Sequence, residues 1–134
     1  MSNDQKTLLA YGMKTSKKIL IIEDEKTLAK ALQFKLTRSG FTVSTVFNGE
    51  EGITLLEKET FDLILLDLIM PKVDGFAVLE ILKTKQIKTP VVVLTNLGQE
   101  NNMQRAKEFG VKEFFIKSNT PIATIVERVI KLLK

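Results

Sequence analysis

Leu63-Ile64-Leu65-Leu66 is an apolar run without polar alternation, which suits a strand covered on both faces of a parallel sheet better than a half-exposed hairpin strand. Such a strand is central. The run ends in a carboxylate, Asp67, and the Met70-Pro71-Lys72-Val73-Asp74-Gly75 that follows is turn chemistry, so Asp67 is expected where the strand leaves the sheet. In open α/β sheets ligands bind at that edge. Taken alone, an Asp after a strand is as often a helix cap or turn former, so the rest of the chain has to decide.

The pattern around this run is regular from Lys18 onward. Lys18 to Glu23 reads as a strand closed by Glu23-Asp24-Glu25, and Leu28, Ala31, Leu32 and Leu36 mark a helical face ending near Gly40. Phe41 to Phe47 is a second strand, turned by Asn48-Gly49 into a helix with Ile53, Leu55 and Leu56. After the central strand comes a helix with Phe76, Leu79, Ile81 and Leu82, then the strand Val91 to Thr95. Gly98 to Phe109 is polar and weakly amphipathic and is expected to be the least firmly packed helix. Glu113 to Ile116 is a short strand ending at Lys117, and Asn119-Thr120-Pro121 predicts a capped start for a last helix through Leu133. Strands alternating with helices predict an α/β, three-layer (βα)5 sandwich with a parallel five-stranded sheet, and the flavodoxin-like order 2-1-3-4-5 is the natural guess.

With 134 residues, 44% hydrophobic and 27% charged, the chain has the size of one globular domain, residues 18–134, behind a loose or lightly docked extension, residues 1–17. In that extension Asn3-Asp4 could cap a short helix with Leu8, Leu9 and Tyr11. Without Cys there is no disulfide, thiol nucleophile or thiolate metal site, and a reducing cytoplasm is the expected compartment. Without His the commonest general base and metal ligand is missing, so chemistry must rest on carboxylates, hydroxyls, lysines and a hard cation. The net charge of +4 is spread along the chain, and the tightest basic group, Lys83, Lys85 and Lys88, has no interleaved aromatic, so no nucleic-acid groove is expected. Apolar runs are too short to span a bilayer, and neither membrane contact nor export is expected.

Glu23 and Asp24, Asp67, Thr95 and Lys117 each stand at the end of a predicted strand, and in a parallel sheet these ends share one edge. Crowded carboxylates repel one another unless a cation neutralises them, and oxygen ligands without His or Cys suit Mg²⁺. Lys117 can pair with a phosphoryl group, Thr95 can donate a hydrogen bond to it, and Asp67 is the best placed to act as nucleophile.

Ile19-Leu20-Ile21-Ile22-Glu23-Asp24-Glu25, Leu65-Leu66-Asp67 through Gly75, Val93-Leu94-Thr95 and Glu113-Phe114-Phe115-Ile116-Lys117 together resemble the receiver domain of two-component response regulators, in the manner of its single-domain, chemotaxis-type members. The resemblance implies that Asp67 accepts a phosphoryl group from a partner's phosphohistidine, on a sensor histidine kinase or a histidine phosphotransfer protein. It implies that Asp24, Asp67 and the backbone carbonyl of Ile69 bind Mg²⁺, with Glu23 holding a metal water, and that Thr95 and Lys117 contact the phosphate. Thr95 and Phe114 would be the switch pair, changing the surface around the fourth helix, fifth strand and fifth helix toward a downstream protein target or a phosphorylation-dependent homodimer. The resemblance also implies that Ile69 and Leu97 would flank the route of attacking water, and both are apolar. Ser118 stands where the family usually has a Pro joined by a cis bond, and Asn96 where a smaller residue is commoner.

The chain stops with the last receiver-like helix, so a stand-alone phosphoryl-controlled module is the first expectation and a receiver cut from a longer regulator the second. It is expected to be no enzyme beyond its own phosphorylation and slow dephosphorylation. Competing readings are a degenerate receiver that binds partners without phosphorylation, an aspartate-dependent phosphatase, whose acid two residues after the nucleophile is here Ile69, and a flavin-binding flavodoxin-like protein, whose phosphate loop Glu23-Asp24-Glu25 would repel.

Overall fold

The computed structural model describes residues 16–96 and 100–134, with the backbone alone for Glu100. The expectations for residues 1–15 and for Leu97 lie outside the described residues. Five strands, β1 (Lys18–Ile22), β2 (Thr42–Val46), β3 (Leu63–Leu66), β4 (Val91–Thr95) and β5 (Glu113–Ile116), alternate with α1 (Lys26–Arg38), α2 (Gly49–Lys58), α3 (Gly75–Thr84), α4 (Glu100–Glu108) and α5 (Ile122–Leu133). The strands are parallel and ordered β2-β1-β3-β4-β5, the expected flavodoxin-like order. Crossover connections by helices are what parallel neighbours require.

The three inner strands read as apolar because both of their faces are covered. Leu20, Ile22, Ile64, Leu66, Val91 and Val93 pack with Leu56 of α2, with Phe76, Val78, Leu79 and Leu82 of α3, and with Ala106 of α4. Their alternating neighbours Ile19, Ile21, Leu63, Leu65, Val92 and Leu94 pack on the other face with Ala29, Leu32 and Leu36 of α1 and Ile125, Val126 and Val129 of α5. All four β3 residues are buried, each contributing roughly 1.5–3 kcal/mol of burial energy, so this strand is the keel of the sheet.

Helix starts follow local chemistry in two cases and depart from it in one. Asn48 Oδ1 accepts a hydrogen bond from Glu51 N at 2.8 Å to open α2, and Asp74 Oδ1 accepts one from Ala77 N at 2.9 Å to open α3. The cap expected from Asn119 and Thr120 does not form. Lys117–Asn119 is instead a 3₁₀ turn, and Pro121 stands at the α5 N-cap without a side-chain cap bond. Proline fixes its own φ and lacks an N–H, so it can open the helix without a polar cap. Helix α4 is the weakly packed one: among its described side chains only Ala106 is buried, while Arg105 lies over the Phe76 ring at 4.0 Å.

Gly75 sits where the backbone leaves no room for a side chain. A Cβ there would lie 2.3 Å from the Asp67 carbonyl oxygen and 2.6 Å from Leu68 Cα. At Gly52 the clash would be with Ile22 Cδ1 at 2.5 Å, a side-chain tip that can turn aside. We therefore expect Gly75→Ala to lose about 3 kcal/mol in urea unfolding and Gly52→Ala clearly less. Equal losses would contradict this account of the β3–α3 junction.

Candidate functional site

Strand register assembles the site. Ile22 pairs with Leu66 across β1 and β3, so Glu23 and Asp67 leave the sheet side by side, and Asp67 N donates to Ile22 O at 3.0 Å. Thr95 pairs with Ile116 across β4 and β5, which sends Lys117 off the same edge. Carboxylate oxygens of Glu23, Asp24 and Asp67 all lie within 4.8 Å of one another, with Glu23 and Asp67 buried and Asp24 exposed.

Lys117 Nζ stands 2.6 Å from Glu23 Oε1, 3.1 Å from Asp67 Oδ2 and 3.1 Å from Glu25 Oε2. No peptide bond among the described residues is cis, and Lys117 reaches the acids with Ser118 behind it. Asp67 Oδ1 accepts from Ile69 N at 3.1 Å, so the turn-forming reading of this Asp is also true: one oxygen shapes the loop and the other faces the lysine. Glu23 Oε2 accepts from Glu25 N at 2.9 Å, whereas buried Glu23 Oε1 has an ionic neighbour but no hydrogen bond of adequate geometry.

Burial dominates the electrostatics. It pushes Glu23 up to about 7, with Lys117 and the Glu25 N–H opposing and the Asp67 charge adding to the rise. Burial likewise raises Asp67, against the Ile69 N–H and Lys117. Lys117 is held above its ordinary range: burial alone would lower it, but the facing carboxylates, Glu23 first, outweigh that. Carboxylate oxygens from three residues, gathered within 4.8 Å without His or Cys, fit a hard cation.

A cleft of 160 Å³ opens beside these acids, lined by Asp24, Glu25, Asp67, Ile69, Asn96 and Lys117. Ile69 is 48% exposed there. Thr95 is fully buried at the end of β4 and is not among the cleft's lining residues, whereas Asn96 is. Phe114 is half-buried, against the cluster that holds Val93 and Ala106. The Glu25–Lys117 pair was not foreseen: the acid belongs to the first loop and the lysine to the last, and no local pattern couples them.

Residues 19–129 match the response regulator receiver domain model. The chain belongs to this family. The receiver is 36% identical over 106 residues to the alkaline phosphatase synthesis transcriptional regulatory protein PhoP of Bacillus subtilis, covering 79% of this chain and 44% of that protein. It is 37% identical over 103 residues to a probable transcriptional regulator, ycf27, of Cyanidium caldarium, covering 77% and 41%. The chain thus spans less than half the length of these curated relatives. Among solved structures, a Francisella response regulator receiver domain superposes with a TM-score of 0.81 at 29% identity, covering 88% of this chain and 97% of that one. The Vibrio cholerae chemotaxis protein CheY4 gives 0.79 at 25%, covering 88% and 99%. No helix among the described residues is long and apolar enough to cross a membrane.

The raised Glu23 sets a pH dependence for the metal-free receiver. A carboxyl whose folded pKa lies above its ordinary 4.5 contributes stability that is fully present below 4.5 and is lost as pH rises through about 7. Lys117, raised from an ordinary 10.5, adds no slope in that window. Asp67, also raised by burial, loses stability in the same sense as pH rises, so in chelator unfolding free energy is expected to fall between pH 5 and 8, and Glu23→Gln to flatten the fall in part. An unchanged slope in the variant would refute this origin.

Proposed function

We propose that Asp67 is the phosphoacceptor of this receiver and that Mg²⁺ is its cofactor. The observation that carries the reading is the placement of Lys117 Nζ 3.1 Å from Asp67 Oδ2, within a cluster whose Glu23, Asp24 and Asp67 oxygens lie within 4.8 Å of one another. Asp24, Asp67 and the Ile69 carbonyl would ligate the ion, and Glu23 would orient a water on it. When bound, Mg²⁺ neutralises the acids and screens the charge of the incoming phosphoryl oxygens.

In the reaction, an Asp67 oxygen attacks the donor phosphorus, and the donor's bond to that phosphorus breaks with the electron pair leaving on the donor. Lys117 holds the transferred oxygens as a point charge. Thr95 donates its hydroxyl to them after moving from its buried position, with Phe114 turning inward and the α4–β5–α5 surface changing with it. The donor is a phosphohistidine on a histidine kinase or phosphotransfer protein, a group that this sequence, having no His, does not itself supply. Output passes to a protein target, and the compartment is the cytoplasm.

Intact mass after incubation with acetyl phosphate and Mg²⁺ tests the reading. One added phosphate is expected in the native protein, and none in Asp67→Asn or in chelator; no gain in the native protein would favour a degenerate receiver. The apolar flank of the cleft makes a second expectation. Ile69 cannot hydrogen-bond an attacking water, and neither can Leu97, so the phosphoryl group is long-lived. Ile69→Asn with Leu97→Glu is expected to shorten the lifetime about a hundredfold, the low end of what a positioned polar group supplies. An unaltered decay of the phosphorylated mass would rule that explanation out.

A further inference from the structure

Lys117 is the one described cation of the site, yet it already serves three acids. Two of them, Glu23 and Asp67, belong to the buried cluster, with side chains only 3% exposed. The third does not. Glu25 is 59% exposed, lies outside the group of oxygens close enough to share an ion, and lines the mouth of the cleft opposite no other described base. Its carboxylate reaches Lys117 Nζ at 3.1 Å from the solvent side, the side from which a phosphoryl donor must arrive.

We infer that Glu25 is a positioning residue that gates phosphorylation, occupying part of the Lys117 ammonium until the incoming phosphoryl oxygens displace it. The inference rests on the reading of Asp67 as phosphoacceptor. Two effects act in the same direction. Glu25 occupies part of the ammonium that the phosphoryl group needs, and its charge repels a dianionic donor at the entrance. Because the pair is exposed on the Glu25 side, its release is cheap, so the gate lowers the rate moderately and does not block it. The bond changes are those of the transfer itself: Asp67 oxygen bonds to phosphorus, the phosphorus bond to the acetate oxygen of acetyl phosphate breaks, and acetate departs with the pair. Glu25 exchanges no proton or bond in this step. Lys117 passes from a carboxylate partner to a phosphoryl one.

The test compares native protein, Glu25→Gln, Glu25→Asp and Glu127→Gln, the last an equal change of net charge at an exposed site on α5. Phosphorylation by acetyl phosphate with Mg²⁺, followed by intact mass, is expected to be about two- to fivefold faster in Glu25→Gln, the scale of an exposed ion pair. Glu25→Asp and Glu127→Gln are expected to stay near the native rate, and the gain in Glu25→Gln to shrink in high salt. In chelator, with no transfer taking place, the ¹⁵N-labelled ammonium resonance of Lys117 is expected to shift in Glu25→Gln and not in Glu127→Gln. A native protein that gains phosphate while Glu25→Gln reacts at the same rate or more slowly overturns the gate and leaves the phosphoacceptor reading standing. A native protein that gains none overturns both.

Discussion

Carboxylates both buried and crowded at the ends of neighbouring strands are the constraint on which the rest of this structure turns. Two carboxylates about 4 Å apart near a protein surface repel by about 4 kcal/mol, and here three offer oxygens within 4.8 Å. Lys117 is the internal answer to that repulsion, and it is delivered from the far edge strand. The register of β5 on β4, of β4 on β3 and of β3 on β1 must all hold for the ammonium to meet the acids. A fold that buries its inner strands completely enforces register strongly, because a one-residue slip would exchange the two faces. The apolar interior and the charged edge are therefore parts of one design: the first fixes the alignment that the second requires.

Asp67 shows how one side chain can answer to two physical demands. Its Oδ1 is tied to the backbone N–H of Ile69, which shapes the exit from β3, while Oδ2 points to Lys117. A carboxylate tied through one oxygen has fewer orientations left for the other, so the contact with Lys117 orders little that the loop has not already ordered.

What the sequence showed clearly was whatever rests on period and on strand ends. Unbroken apolar runs at Leu63–Leu66 and Val91–Leu94 announced strands buried on both faces, and the polar residue closing each run announced the functional edge. What stayed hidden depends on contacts between distant segments. Glu25 reaching Lys117 crosses ninety-two positions of chain. Thr95 stands at the right strand end, but its full burial, and the appearance of Asn96 in the cleft instead, follow from packing that no local pattern encodes. The start of α5 misled because Asn119 and Thr120 have cap chemistry, while the turn at Lys117–Asn119 takes up those residues first. The basic group Lys83, Lys85 and Lys88 lacks an aromatic in its own stretch, yet Phe109, just past α4, has its ring centre 5.9 Å from Lys83 Nζ, and Lys85 pairs with Glu57.

The crowding at Gly75 has a mechanical side. Its Cα lies so close to the Asp67 carbonyl that nothing larger than hydrogen fits between them, and the next residue, Phe76, carries the ring over which Arg105 of α4 rests at 4.0 Å. One peptide and one ring thus separate the acidic pocket from the most weakly packed helix, and the first joint has no room to give. A shift of the Asp67 carbonyl toward Gly75 must therefore push the start of α3 along with it, because the gap between them cannot close further.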